Sequence, residues 1–173
     1  MKRFLLSIVG LLAFAIGMNA ETYTHTFGEG ELTTAGGNVT LNGMEWTASS
    51  ANSIGWNAEK GIQLGKKNEA CENFSLTTSA FKDYTITSVT VYGCIASSGD
   101  AKVTIKAGNS TSEQYALGAS STECKFECKE HGDIVISWNA TQRAYYVSKI
   151  EVQYEIPADM VDVALYANNV EEY

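Results

Sequence analysis

Between Tyr23 and Tyr154 apolar side chains recur at every second position in short runs. Glycine interrupts the runs about every 8–12 residues, the spacing expected of a sandwich or barrel. Phe74 and Leu76 alternate with Ser75 and Thr77, Val103 and Ile105 with Lys102, Thr104 and Lys106, and Ile134, Ile136 and Trp138 share one face. A strand with period two and one apolar face must bury that face against a second layer. No segment before Pro157, the only proline, has a helical period. The pattern therefore dictates an all-β chain of packed antiparallel sheets.

Local signals refine this. Val39 and Leu41 lead into Asn42-Gly43, a two-residue hairpin turn, and Met44, Trp46 and Ala48 continue beyond it. One run changes phase: Tyr84 and Ile86 occupy even positions, Val89 and Val91 odd ones. A bulge near Thr87-Ser88 reconciles the two halves. The segments Ile86–Tyr92 and Val147–Tyr154 are the best-patterned strands and are expected to pair antiparallel in the middle of one sheet.

The N-terminus has a different character. Lys2 and Arg3 precede the apolar run Phe4–Gly17, and Met18-Asn19-Ala20 supplies a small residue at a cut. This is the form of a secretory signal peptide, with cleavage near Ala20 and release to the periplasm, the cell surface or the medium. The run is too short to span a bilayer, which takes roughly 20 apolar residues. Residues 21–156 then form one domain, large enough to bury a core without help from disulfides. Residues 157–173 read as a C-terminal tail or linker, or as a short helix from Ala158 with Pro157 in its first turn.

Charge excludes some partners. Lys2 and Arg3 leave with the leader, so ten basic residues face twenty acidic ones, and Arg143 is the sole remaining arginine. Such a surface repels the phosphates of nucleic acid and disfavours anionic membranes. It suits solubility and a neutral ligand. The four cysteines, Cys71, Cys94, Cys124 and Cys128, allow two disulfides in an oxidising compartment or four buried thiols. A direct Cys124–Cys128 bridge requires a bend. Four residues of strand span about 13 Å, whereas a disulfide needs Cα atoms within about 7 Å.

Catalytic signals are weak. The chain has no Gly-x-Ser-x-Gly elbow and no His-Glu-x-x-His. His25 shares a strand face with Tyr23 and Phe27 and reads as a packed histidine, and His131 reads as part of a turn. Glu29 with Glu31, and Glu69 with Glu72, are the acid pairs that glycoside hydrolysis would need. Loop acids of this kind are ordinarily solvated, so the chain reads as non-catalytic. No cofactor is expected. Structural calcium has only the loop acids Asp83, Asp100 and Asp133 to draw on, in no motif, and no metal site is assigned.

Binding signals are better. Trp46 and Trp138 fall on apolar strand faces and read as core. Trp56 lies in the polar stretch Ala51–Lys60 and is expected to be exposed, with Asn57 beside it. The segment Asn139–Tyr145 carries Asn139, Gln142, Arg143 and Tyr145, whose amides, guanidinium and phenol make directed hydrogen bonds. These six residues are the expected ligand contacts, by ring stacking and amide hydrogen bonding. Asn38, Asn73, Asn109 and Asn139 also stand in Asn-x-Ser/Thr sequons.

The order Lys60–Gly65, Phe74–Thr77, Ile86–Val91, Ser98-Gly99 with Lys102–Ile105, Gly132–Ile136 and Tyr145–Val152 resembles the small secreted jelly-roll modules of gut-type anaerobic bacteria. These are similar in fold to carbohydrate-binding modules. The resemblance covers about residues 22–155 and implies a two-sheet antiparallel β-sandwich of jelly-roll type with roughly 8–10 strands. The function it implies is non-catalytic binding of a glycan or glycoconjugate. A structural or adhesive surface protein contacting other proteins is the alternative, and a small glycan-active hydrolase the second.

Overall fold

The structure, a computed structural model, describes residues 19–157 and Met160. The expected leader lies outside the described residues except for Asn19 and Ala20, and the expected tail or helix except for Pro157 and Met160. Among the described residues no helix is long and apolar enough to cross a membrane.

Two antiparallel sheets face each other across one core. The six-stranded sheet runs β11 (Thr122–Glu130), β7 (Thr85–Ile95), β13 (Tyr145–Ile156), β5 (Gly61–Leu64) and β4 (Ile54–Asn57), with β1 (Asn19–Thr26) also paired to β13. The seven-stranded sheet runs β10 (Tyr115–Ala116), β8 (Lys102–Ala107), β12 (Ile134–Asn139), β6 (Phe74–Thr78), β3 (Met44–Ala48) and β2 (Gly37–Leu41), with β9 (Ser110–Thr111) on β8. From β6 onward the longer strands alternate between the sheets, as in a jelly roll. Of the thirteen strands, β4, β5, β9 and β10 have four residues or two, which is why patterning alone suggests fewer.

The period-two reading holds strand by strand. In β12, Ile134, Ile136 and Trp138 are buried while Val135, Ser137 and Asn139 face outward. The largest buried side chains are Trp46, Trp138, Tyr145, Phe74 and Phe81. Burying such a side chain contributes about 1.5–3 kcal/mol. Tyr23 links the layers: its ring packs on Trp46 and edge-on to Phe81, and its hydroxyl donates to the Leu41 carbonyl at 2.6 Å. Burial pushes this phenol up to about 12.

The Asn42-Gly43 turn joins β2 to β3 with both residues at positive φ, 43° and 79°, the backbone a two-residue hairpin demands. β7 and β13 pair in the middle of the six-stranded sheet. Ser88 stands opposite Gln153, but Ile86 stands opposite Tyr154, so Thr87 is the extra residue of the expected bulge. A second bulge falls at Ser148 of β13, between Val147 and Lys149. All four cysteines are free thiols; Cys71, Cys94 and Cys124 are buried, and Cys128 is half-buried. Burial pushes the Cys124 and Cys128 thiols up to about 11.

The Ser148 bulge presses on Gly61, whose φ is +91°. A Cβ there would lie 2.2 Å from the Val147 carbonyl oxygen and 2.7 Å from the Ser148 Cα. Positive φ and a backbone clash combine against any side chain. Gly61→Ala is expected to destabilise the fold by about 3 kcal/mol in urea unfolding. A loss under about 0.5 kcal/mol would show that the bulge moves freely.

Candidate functional site

The outward face of the seven-stranded sheet is built from the polar half of each alternating strand, and strand register aligns these residues into rows. Thr104 of β8 stands opposite Ser137 of β12, which stands opposite Ser75 of β6. Ser49, just past β3, extends the row: its amide donates to the Ser75 carbonyl at 2.9 Å, and its hydroxyl accepts from the Ser75 amide at 2.9 Å. Toward one end of the strands lie Lys102 opposite Asn139, and Asn73 beside it, with Asn139 Nδ2 donating to Asn73 Oδ1 at 3.1 Å. On the other side of the hydroxyl row run Lys106, Val135, Thr77, Thr47 and Asn38.

Two hollows open on this face. The first, of about 340 Å³, includes Lys102, Thr104, Gln114, Ser137, Asn139 and Asn73 in its lining. The second, of about 300 Å³, is lined among others by Asn38, Glu45, Thr47, Thr77 and Asp133. Hydroxyls and amides offer both donors and acceptors. Three of the four sequon asparagines, Asn38, Asn73 and Asn139, line these hollows.

The structure separates the six expected contacts. Asn139 lies at the mouth of the first hollow, where its amide also donates to the Glu72 carbonyl at 2.6 Å. Trp56 is not on an exposed loop: it belongs to edge strand β4, is half-buried, and packs against the core opposite Ile62. The stretch reads as loop because Gly55 and Asn57 surround the ring with polar residues. Asn57 caps the β4–β5 turn, its Oδ1 accepting from the Glu59 and Lys60 amides at 3.1 and 3.0 Å.

Tyr145 is also corrected. It is 0% exposed, at the start of β13 between Leu64 and Ile95, and cannot touch a ligand. Burial pushes its phenol far up, with the Cys71 thiol as its polar neighbour, and among the described residues the hydroxyl makes no hydrogen bond of ordinary geometry. The segment between Asn139 and Tyr145 joins the two sheets, because β12 belongs to one and β13 to the other. It crosses the edge of the sandwich. Arg143 turns the crossing at φ 59° and is half-buried, while Gln142 is exposed.

Asp100 fastens that crossing. Its carboxylate accepts from the Thr141 hydroxyl and from the Thr141 and Gln142 amides, both at 2.9 Å. The Thr141 hydroxyl and these amides hold the Asp100 carboxyl below the ordinary value of 3.8. A depressed carboxylate contributes stability that is full above the unfolded value and is lost as pH falls through the folded one. Asp133 lines the second hollow, and Asp83 lies in the turn between β6 and β7.

The sequence reading missed Thr104, Ser137, Ser75, Ser49, Lys102 and Gln114. Each is the polar member of an alternating strand or lies beside one, so the signal was present, but alternation alone does not say which strands adjoin.

No protein-family model matches the chain, and no curated protein does. The fold is similar to that of a family 29 carbohydrate-binding module, with a TM-score of 0.51, 9% identity, and 87% of this chain and 99% of that one covered. Lower similarity is found to the xylan-binding family 22 module of Paenibacillus barcinonensis Xyn10C, with a TM-score of 0.47, 12% identity and coverage of 82% and 99%. The K2 adhesin domain of Lys-gingipain gives 0.46, 16% identity and coverage of 76% and 99%. The class these features define is a jelly-roll β-sandwich with the fold of a carbohydrate-binding module.

Two outcomes follow. Asp100→Ala is expected to speed amide exchange at Thr141 and Gln142 about tenfold or more, and acidification below about pH 4 to do the same relative to a reference amide. Unchanged protection would mean that the carboxylate does not hold the crossing. Tyr145→Phe removes an unpartnered buried hydroxyl, so thermal unfolding is expected to show no loss or a gain of about 1 kcal/mol. A loss above about 1 kcal/mol would reveal a partner for that hydroxyl.

Proposed function

We propose that the chain is an exported, non-catalytic module that binds a glycan on the outward face of its seven-stranded sheet. The observation that carries this reading is the transverse row Thr104, Ser137, Ser75 and Ser49 between two hollows. Strands lie about 4.8 Å apart, so the row presents hydroxyls at regular steps across roughly 14 Å. Flanking amides at Asn139, Asn73 and Gln114 supply directed donors and acceptors.

Hydrogen bonding rather than ring stacking carries the binding. The tryptophans are core or half-buried, and Trp56 is an edge-strand residue of the opposite sheet. One acid of each pair is engaged within the protein, which favours a non-catalytic role. Glu31 accepts from His25 at 3.0 Å and from the Gly28 amide at 2.8 Å, and Glu69 pairs with Lys66 at 2.7 Å. The fold likeness to a family 29 carbohydrate-binding module supports the same reading. Against a dry protein contact stands the surface itself. Among the described residues Met160, at 44%, is the one large apolar side chain that counts as exposed.

A glycan array with the purified domain finds the ligand. For its best hit, the Thr104→Val, Ser137→Ala double variant is expected to bind about tenfold more weakly or worse, at roughly 1 kcal/mol per lost hydrogen bond. Trp56→Ala is expected to leave affinity unchanged while lowering stability. The reverse pattern would move the site to β4.

A further inference from the structure

The charges on this face are sorted rather than mixed. Lys102 and Lys106, its two cations, both lie on β8. Its carboxylates stand apart, Glu45 on β3 and Asp133 on the turn before β12, both in the lining of the second hollow. Glu45 accepts from Thr40 at 2.6 Å across the β2–β3 pair. The cation of the first hollow, Lys102, forms no ion pair and no side-chain hydrogen bond among the described residues, although the full chain has 20 acidic side chains against 12 basic ones.

Three of the nine lysines among the described residues form ion pairs, and Lys102 is not one of them. Lys149 sits on the Tyr92 ring at 4.0 Å and pairs with Glu151, Lys125 pairs with Glu127, and Lys66 with Glu69. Lys102 instead stands at the wall of a hollow whose polar lining is hydroxyls and amides, among them Thr104, Ser137, Asn139, Asn73 and Gln114, with Phe74 and Trp138 also in the lining. An ammonium with three donors beside neutral acceptors and donors is a seat for an anionic oxygen on a polyhydroxylated ring.

We infer that the first hollow selects a sugar ring bearing an anionic group, a carboxylate or a sulfate, held by Lys102, while the second hollow takes a neutral ring of the same chain. The inference rests on the glycan reading above and names the ligand class for it. The polarity of the face carries the second half. A second negative charge over Glu45 and Asp133 would be repelled, so the favoured polymer spaces its charges rather than carrying one on every ring. The acidic remainder of the protein repels an anionic polymer at long range, so the attraction is confined to the short-range contact with Lys102.

The test uses matched polysaccharides that differ in charge alone: glucuronoxylan and its carboxyl-reduced form, and κ-carrageenan and its desulfated form. Isothermal titration is run with the wild-type domain, Lys102→Gln and Lys102→Arg, each checked for folding by circular dichroism. The expected result is that the charged member of one pair binds at least about tenfold more tightly than its neutral match. The preference is lost in Lys102→Gln, is largely kept in Lys102→Arg, and shrinks as salt rises. Which pair shows it tells carboxylate from sulfate. Equal binding of charged and neutral members, indifferent to Lys102→Gln, overturns the anionic seat and leaves the glycan reading intact. Binding of none of the four, with a clean blank on the glycan array, overturns both.

Discussion

Everything on the proposed binding face depends on the pairing of β7 with β13 in the opposite sheet. These are the two longest strands, and their inward residues, Ile86, Val89, Val91, Val147, Ile150 and Val152, are the floor on which the seven-stranded sheet packs. Two bulges tune that floor. Thr87 lets β7 present Ile86 and Val89 on one face despite their odd spacing, and Ser148 does the same for Val147 and Ile150 on β13. Without them half of each strand would turn its apolar side to water. Gly61 is the price of the second bulge, since only a residue without a Cβ fits beside it.

Given that floor, the second sheet has one free surface, and its chemistry follows from alternation. Burying Val103, Ile105, Phe74, Leu76, Ile136 and Trp138 forces Thr104, Ser75, Ser137 and their neighbours outward. Register then turns separate polar positions into rows. The site is thus a by-product of core formation that the choice of Ser, Thr, Asn and Lys has made specific. The crossing from β12 to β13, fastened by Asp100, holds Asn139 at the edge of this surface.

Much of the fold was legible because it is written in local periods. The sandwich, the Asn42-Gly43 hairpin, the Thr87 bulge and the central pairing all rest on spacing within a run or on turn chemistry. The core roles of Trp46 and Trp138 and the packed His25 were legible for the same reason. The site was less so. Of the six expected contacts, Asn139 is the one that lines the first hollow, and an amide at a strand end is conspicuous in sequence. Trp56 and Tyr145 misled because an aromatic among polar neighbours looks exposed, whereas β4 is a short edge strand and Tyr145 opens β13 inside the core. Thr104, Ser137 and Ser75 become a site only when three strands distant in sequence are laid side by side, which no local pattern encodes.

The most direct test of the account is amide chemical-shift mapping by NMR as the array-selected glycan is titrated into the labelled domain. The largest shifts are expected on the outward positions of β8, β12 and β6, centred on Thr104, Ser137 and Ser75, with β4 and β5 silent. Shifts centred on Trp56 and the β4–β5 turn, or spread over the six-stranded sheet, would contradict it.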